Sequence, residues 1–177
     1  MIWLAVAAIV IVALGLYANW AARRLDRLHV RLDAAAAALD AQLRARAAVA
    51  ARVAESAELP RAAGDQLRAA AGIAAQSSRL DHGREAVESA LSRAVQSSLA
   101  ALPPRSAAAA DLVDAATRAS FARSFHNDAV RDALVVRRRR IVRLLHLAGH
   151  APHPSYFEMD DAVVVISEVV PAAAPYD

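Results

Sequence analysis

The chain opens with an apolar stretch, residues 2–22, that contains no charged side chain. A helix of this length, at about 1.5 Å of rise per residue, covers a hydrocarbon core about 30 Å thick. Its aromatic residues stand towards the two ends, as is typical of side chains at membrane–water interfaces: Trp3, Tyr17 and Trp20. The pattern predicts a helix that spans a membrane.

A cleaved signal peptide is the alternative interpretation of this stretch. Such a peptide carries basic residues before its apolar run and small residues at the cleavage site. No basic side chain precedes Ile2, and the segment from Tyr17 to Trp20 is a poor cleavage site. Arginines follow the span at once, beginning with Arg23 and Arg24. By the positive-inside rule we expect a retained, single-pass anchor in the cell membrane, with the amino terminus outside and the bulk of the chain in the cytoplasm.

Beyond the span, apolar residues recur at steps of three and four, the spacing of one helix face. We expect the anchor to continue as a helix to about Glu58 and a second helix to run from a cap at Asp65 to Ala101. A third is expected from a cap at Ser106 to the Gly149–Pro152 segment. The residues expected to face the core include Leu39, Leu43, Leu67, Ala71, Ala74, Leu91, Val95, Leu102, Leu112, Ala116, Phe121, Phe125, Ala129, Ala133 and Val136.

The expected helices have similar lengths and short connections, which favours antiparallel neighbours. The predicted fold is therefore all-α: a transmembrane helix that continues into an antiparallel up-down-up bundle of three long helices. Ser77–Ser78 and Gly83 offer a place to split the second helix and give four, but one continuous helix is the favoured reading. The domains are then an anchor at 1–22, a cytoplasmic bundle at 23–150 and an extended tail at 151–177.

Composition adds that 57% of the residues are hydrophobic but only 5% are aromatic, and that the chain has no cysteine. Alanine-rich helices pack closely and bury little area per residue, so the expected core is thin. The absence of cysteine excludes disulfides, thiolate metal sites and cysteine nucleophiles.

Three parts of the chain carry a family pattern. They are the anchor ending in Tyr17-Ala18-Asn19, the run LDAQLRAR at 39–46, and ARSFHNDAVRD at 122–132, the last followed by Gly149 and by YFE at 156–158. Together they resemble the LemA family of membrane proteins over nearly the whole chain.

The chain departs from the LemA pattern in some places. His126 stands where the family has tyrosine before Asn127, and LVVRRRR replaces a second asparagine and a Phe-Pro pair after Val130. The resemblance implies a membrane-anchored antiparallel helical bundle with its amino terminus outside. It implies no catalytic residue, because the family has no established catalytic site.

Four consecutive arginines, Arg137, Arg138, Arg139 and Arg140, lie in the expected third helix. In an up-down-up bundle they lie level with about residues 53–56 of the first helix, far from the membrane. At about 100° per residue they cannot share one face. Arg138 and Arg139 fall on the polar side, whereas Arg137 and Arg140 fall in the apolar sector.

These arginines and Asn127 are the candidate interaction residues. An anionic partner is one interpretation of the arginines, and a solvated helix end with weak ion pairs is the other. Nucleic acid is disfavoured because neither interleaved aromatic residues nor glycine turns accompany them. Asn127 in mid-helix either joins a side-chain network between helices or faces water. The residues expected at the membrane interface are Trp3, Tyr17, Trp20, Arg23 and Arg24.

Histidines provide a weak metal candidate at His146, His150 and His153. Zinc needs three or four ligands in a tetrahedral array, and the breaks at Gly149 and Pro152 separate these side chains. They are more simply polar residues at a frayed helix end, so no metal and no cofactor are expected.

The residues from Ser124 to Asp128 cannot form a catalytic chain, because alternate positions spread around a helix. The leading hypothesis is a non-enzymatic scaffold at the cytoplasmic face of the membrane. Its expected partners are the lipid bilayer, other membrane or cytoplasmic proteins, and a second copy of the chain. The alternative is anion or nucleic-acid binding through the arginine-rich helix end.

Overall fold

The structure is a computed structural model that describes residues 2–77, 80–138 and 153–160. It contains four helices: α1 (Ile2–Val53), α2 (Arg61–Gln76), α3 (His82–Ala101) and α4 (Ala107–Arg137). No strand occurs within these ranges, which confirms the all-α prediction. The apolar span and the first polar helix are one helix, as predicted. Among the described residues, α1 is also the one helix long and apolar enough to cross a membrane.

The expected single second helix is wrong, because the chain breaks between α2 and α3. Ser77 leaves the helix with an extended backbone, at φ −78° and ψ 123°. Asp81 is also extended, and its side chain accepts a hydrogen bond of 3.0 Å from the Arg84 backbone N–H. Serine and aspartate favour such ends because their side chains compete for backbone hydrogen bonds. The four-helix alternative is therefore the count that the described residues show.

The predicted helix starts are partly correct. The Ser106 hydroxyl accepts a 3.1 Å hydrogen bond from the Ala109 backbone N–H, which confirms the cap of α4. The predicted cap at Asp65 is wrong, because α2 begins at Arg61 directly after Pro60. Proline fits such a start, since its fixed φ suits the first turn and no N–H is needed. The predicted end at Gly149–Pro152 lies outside the described residues.

The chain forms two compact units. The first contains Met1–Gln42 and Ala119–Glu158, and the second contains Leu43–Arg118 and Met159–Asp177. In the second unit, the small and branched side chains predicted for the core are indeed buried, including Leu43, Leu67, Ala71, Ala74, Leu91, Val95, Leu102 and Leu112.

Two arginines and one glutamate are buried together in the second unit. Arg46 Nη2 donates to Glu88 Oε2 at 2.6 Å, and Arg84 Nε donates to Glu88 Oε1 at 3.3 Å. Arg46 Nη1 also donates to the Ser92 hydroxyl at 3.1 Å. These four side chains are at most 3% exposed. The cluster fixes α1 against α3, because losing one partner would strand a buried charge at a cost of about 3–5 kcal/mol.

The turn between α1 and α2 brings the two backbones close together. A Cβ atom built on Gly64 would lie 2.7 Å from the Ala54 carbonyl oxygen, which is closer than real Cβ contacts. Arg68 Nη2 donates to the same carbonyl oxygen at 3.3 Å and so satisfies a group at the end of α1. Position 64 therefore requires a residue without a side chain.

Replacing Gly64 with alanine tests this approach. We expect the free energy of unfolding of the full chain to fall by about 1–3 kcal/mol, the range for overpacked sites, because the backbone must move. Gly72→Ala in the same helix is the matched control, since nothing lies within 4 Å of a Cβ built there. We expect Gly72→Ala to stabilise by about 0.5–1 kcal/mol through helix propensity. Urea unfolding measures both values, and two effects of the same sign would contradict the close approach.

Candidate functional site

The polar end of the apolar span carries a small aromatic and basic cluster. The ring centroids of Tyr17 and Trp20 lie 5.8 Å apart. The Arg24 guanidinium lies 5.5 Å from the centroid of the Trp20 ring, within cation–π range. The structure thus brings together three of the five predicted interface residues. Arg23 is exposed beside them, and Trp3 is exposed near the other end of the span.

An ion pair in the first unit fixes α4 against α1. Arg31 Nη1 lies 3.6 Å from Asp132 Oδ2. Twenty-five residues of α4 precede Asp132. If α4 ran parallel to α1, these residues would lie beside the part of α1 that precedes Arg31, over a length of about 37 Å. The side chains of residues 2–17 are all exposed, so no helix covers them. The helix α4 must therefore approach Arg31 from the other direction and run antiparallel to α1.

This direction corrects the predicted position of the arginine run. Arg137 lies five residues beyond Asp132, which places it level with about residue 26 of α1 at the standard helical rise. The prediction that it lies level with residues 53–56, far from the apolar span, is wrong. That prediction assumed one continuous second helix, which the break between α2 and α3 contradicts.

The predicted orientation of these side chains around the helix is confirmed for the two that the structure describes. Arg137 is half-buried, and Arg138 is exposed. The Arg138 backbone N–H donates to the Leu134 carbonyl at 3.1 Å, so Arg138 still belongs to the helical hydrogen-bond pattern. Arg139 and Arg140 lie outside the described residues.

Asn127 binds the backbone of the tail. Its Nδ2 donates to the Phe157 carbonyl at 3.1 Å, and its Oδ1 accepts from the Phe157 N–H at 2.9 Å. Asn127 thus donates one hydrogen bond to the Phe157 backbone and accepts one from it, as opposite residues of adjacent β-strands do. The Phe157 side chain is 2% exposed. Asn127 therefore has neither predicted role, because it binds the backbone of the tail and not a side chain of another helix.

His126 lies beside this contact. Its side chain is 6% exposed, and it forms a hydrogen bond with the backbone of Ser155. Burial lowers the pKa of His126 below its ordinary value of 6.5, because charging the ring costs desolvation, and the Ser155 hydrogen bond partly opposes this shift. Position 126 is therefore an uncharged histidine that helps to hold the tail at neutral pH.

The two phenylalanines predicted for the core are exposed instead. Phe121 and Phe125 are 62% and 69% exposed, one turn apart on α4. Phe121 lies nine residues after the buried Leu112, and nine steps of about 100° end on the opposite face. The positions that α4 buries in the first unit are instead small or medium: Ala119, His126, Ala129, Val130, Ala133 and Val136.

Among the residues that the structure describes, the remaining candidates form no reactive arrangement. No group of three or more metal-ligating side chains occurs in the part of the chain that the structure describes. His153 is exposed, while His146 and His150 fall outside that part. Asp128 is bonded to Arg131 at 2.9 Å and does not meet His126, consistent with their spacing. In the second unit, a shallow polar depression lined by Glu55, Ser56 and Arg61 opens to solvent.

Comparison with known proteins supplies no relative. No protein-family model matches the chain, and neither a curated protein nor a solved structure does.

Replacing Asn127 with alanine tests the contact with the tail. The variant loses two hydrogen bonds, each worth about 1 kcal/mol. We therefore expect the segment around Phe157 to detach more often, and chymotrypsin to cleave after Phe157 at least ten times faster than in the unmodified chain. Ser124→Ala is the matched control, because Ser124 is exposed on the same helix. Equal cleavage rates in both variants would contradict the role of Asn127.

The buried His126 predicts a pH dependence of stability. Below about pH 6.5 the unfolded chain binds a proton at position 126 that the folded chain, with its lower pKa, does not bind. The free energy of unfolding therefore falls as the pH drops from about 6.5 through the folded-state pKa. We expect His126→Gln to remove this component in urea unfolding across pH 5 to 8, and the exposed His153→Gln to retain it. An identical pH profile for His126→Gln and the unmodified chain would be inconsistent with a buried neutral ring.

Proposed function

We propose that the chain is a non-enzymatic interaction module that α1 holds at the cytoplasmic face of the cell membrane. The observation that carries this proposal is the exposed pair Phe121 and Phe125 on α4, in the unit that also contains the apolar span. Large apolar side chains next to one another on a polar surface are typical of contact sites for another protein. A partner that covered these two side chains would bury their exposed apolar area, which would stabilise the complex.

The membrane part of the proposal rests on the first half of α1. The side chains of residues 2–17 are exposed and apolar, which suits lipid and not water. Tyr17, Trp20 and Arg24 form the kind of aromatic and basic group found at a membrane surface. Arginines follow the span directly, which supports an orientation with the amino terminus outside.

Membership of the LemA family is part of the same proposal. Its support is the resemblance at 39–46 and 122–132, together with a helical chain that begins in a long apolar helix. The Asn127 position of that pattern has a structural role here, because it binds the tail at Phe157. A family of anchored helical proteins without established catalysis agrees with an interaction function.

The alternative, anion or nucleic-acid binding through the arginine-rich helix end far from the membrane, has less support than the interaction function. The Arg31–Asp132 pair and the direction of α4 place Arg137 and Arg138 close to the apolar span. An exposed Arg138 at that level has the bilayer as its nearest source of anions.

Photocrosslinking in cells tests the interaction function. A photoreactive amino acid at position 121 or 125 is expected to yield the same discrete crosslinked species, because the two positions share one surface. The exposed Ile73 in the second unit is the matched control position, and we expect it not to yield that species. Introducing Phe125→Ser beside the probe at 121 should reduce the yield by at least fivefold.

Two results would contradict the interaction function. One is a crosslinking pattern that is the same at positions 73, 121 and 125, which indicates random collisions. The other is a yield at 121 that Phe125→Ser leaves unchanged, since the partner would then not contact the phenylalanine pair.

A further inference from the structure

We propose that the carboxyl-terminal end of α4 around Arg138 binds anionic phospholipid headgroups of the bilayer that α1 enters. It does so together with the arginines that follow the apolar span. This inference rests on the proposed membrane anchor, and it adds a second point of lipid contact, some 115 residues further along the chain, to the expected contact at Arg23 and Arg24.

The positions of Trp20 and Arg138 along the axis of α1 support this contact. Trp20 marks the interface end of the span, and Arg138 lies level with about residue 25. Five residues of helix correspond to about 7.5 Å. The headgroup layer is itself about 5–8 Å thick, and charges act over a Debye length of about 8 Å at physiological ionic strength. Arg138 is exposed at this height and is therefore within reach of lipid phosphates.

The charge at this level is strongly positive. Residues 23–31 contain four arginines and one aspartate, and residues 131–138 contain three arginines and one aspartate, which leaves five net positive charges. The entire chain carries only +3. Positive charge is thus concentrated beside the span, and the rest of the chain is net negative. Anionic headgroups complement such a surface.

The acidic residues near this level do not cancel the positive surface, because four net positive charges remain when Asp128 is counted as well. Asp132 pairs with Arg31 and Asp128 pairs with Arg131, and all four side chains are about half exposed or more. Water and lipid can reach exposed pairs of this kind, and they contribute little stability by themselves. The negative end of the α4 dipole also favours arginine at this position, without any lipid. The experiment must therefore show that Arg138 attracts anionic lipid, and not only that arginine is favourable at the carboxyl-terminal end of a helix.

Energy transfer from a dye on α4 to labelled lipid makes this separation. The chain has no cysteine, so Val135→Cys and Ser124→Cys each accept one donor dye. The full chain is reconstituted in nanodiscs of phosphatidylcholine. One sample contains a trace of phosphatidylglycerol with an acceptor dye on its acyl chain, and the other contains a trace of phosphatidylcholine with the same acceptor. We expect transfer from position 135 to favour phosphatidylglycerol and to lose that preference in high salt. Position 124 lies about 16 Å further from the membrane along α4 and should show less transfer and a weaker lipid preference.

Substitutions on α4 then test whether Arg138 causes the preference for phosphatidylglycerol. Arg138→Gln should lower the enrichment of phosphatidylglycerol near position 135 by up to about fivefold, the effect of one arginine near an anionic surface. Arg118→Gln, an exposed arginine further back in the same helix, is the matched control and should leave it unchanged. Equal transfer to both lipids, or a preference that Arg138→Gln does not alter, overturns the inference. A preference that a short RNA abolishes at stoichiometric concentration points to a nucleic-acid surface and overturns it as well.

Quenching of Trp3 and Trp20 by brominated acyl chains reports separately whether α1 lies in the bilayer. Quenching without a lipid preference at position 135 overturns the lipid inference and leaves the proposed function intact. Loss of tryptophan quenching overturns both, because the anchor itself is then absent.

Discussion

The direction in which α4 runs along α1 is the constraint on which the rest of the account depends. Two features fix it: the ion pair between Arg31 and Asp132, and the exposed surface of residues 2–17, which excludes a parallel neighbour. The break between α2 and α3, where the Asp81 side chain caps the start of α3, belongs to the second unit.

Much of the fold was predictable from residue spacing. The continuity of α1, the cap at Ser106 and the buried positions Leu67, Leu91 and Val95 all follow from helical periodicity and capping preferences. The break at Ser77 was visible only as an option, because serine is tolerated in helices and the preference for an end is small. The structure shows the end at the extended Ser77 and the new start at the Asp81 cap.

The candidate site was less predictable, because its contacts join residues distant in sequence. Asn127 stood out as unusual in a helix, but nothing in the sequence indicates that it binds Phe157, thirty residues away. The buried Arg46–Glu88 pair gave no signal either, since a charged residue in a helix usually faces water. For Phe121 the sequence does contain a signal, because its distance of nine residues from Leu112 places it on the opposite face of the helix.

The burial pattern of α4 connects the fold to the proposed function. Alanine, valine and histidine face inwards in the first unit while two phenylalanines face outwards, the reverse of an ordinary amphipathic helix. The inner face permits close packing, and the outer face exposes the apolar area that the proposed partner would bury. In the proposed arrangement, the basic end of the same helix, near Arg138, also lies within reach of the membrane surface. One helix would then supply both proposed contacts, and its direction determines whether they lie at compatible heights.

Crosslinking between paired cysteines measures that direction most directly, because the chain has no cysteine of its own. With Arg31→Cys fixed, the second cysteine is placed at Asp132 or at Asp114, and a short bis-maleimide is added to the full chain in membranes. An antiparallel α4 predicts an intramolecular crosslink for 31 with 132 and none for 31 with 114, which lies about 27 Å away along the helix. A crosslink of 31 with 114 in place of 132 would show that α4 runs parallel to α1 and would contradict the account.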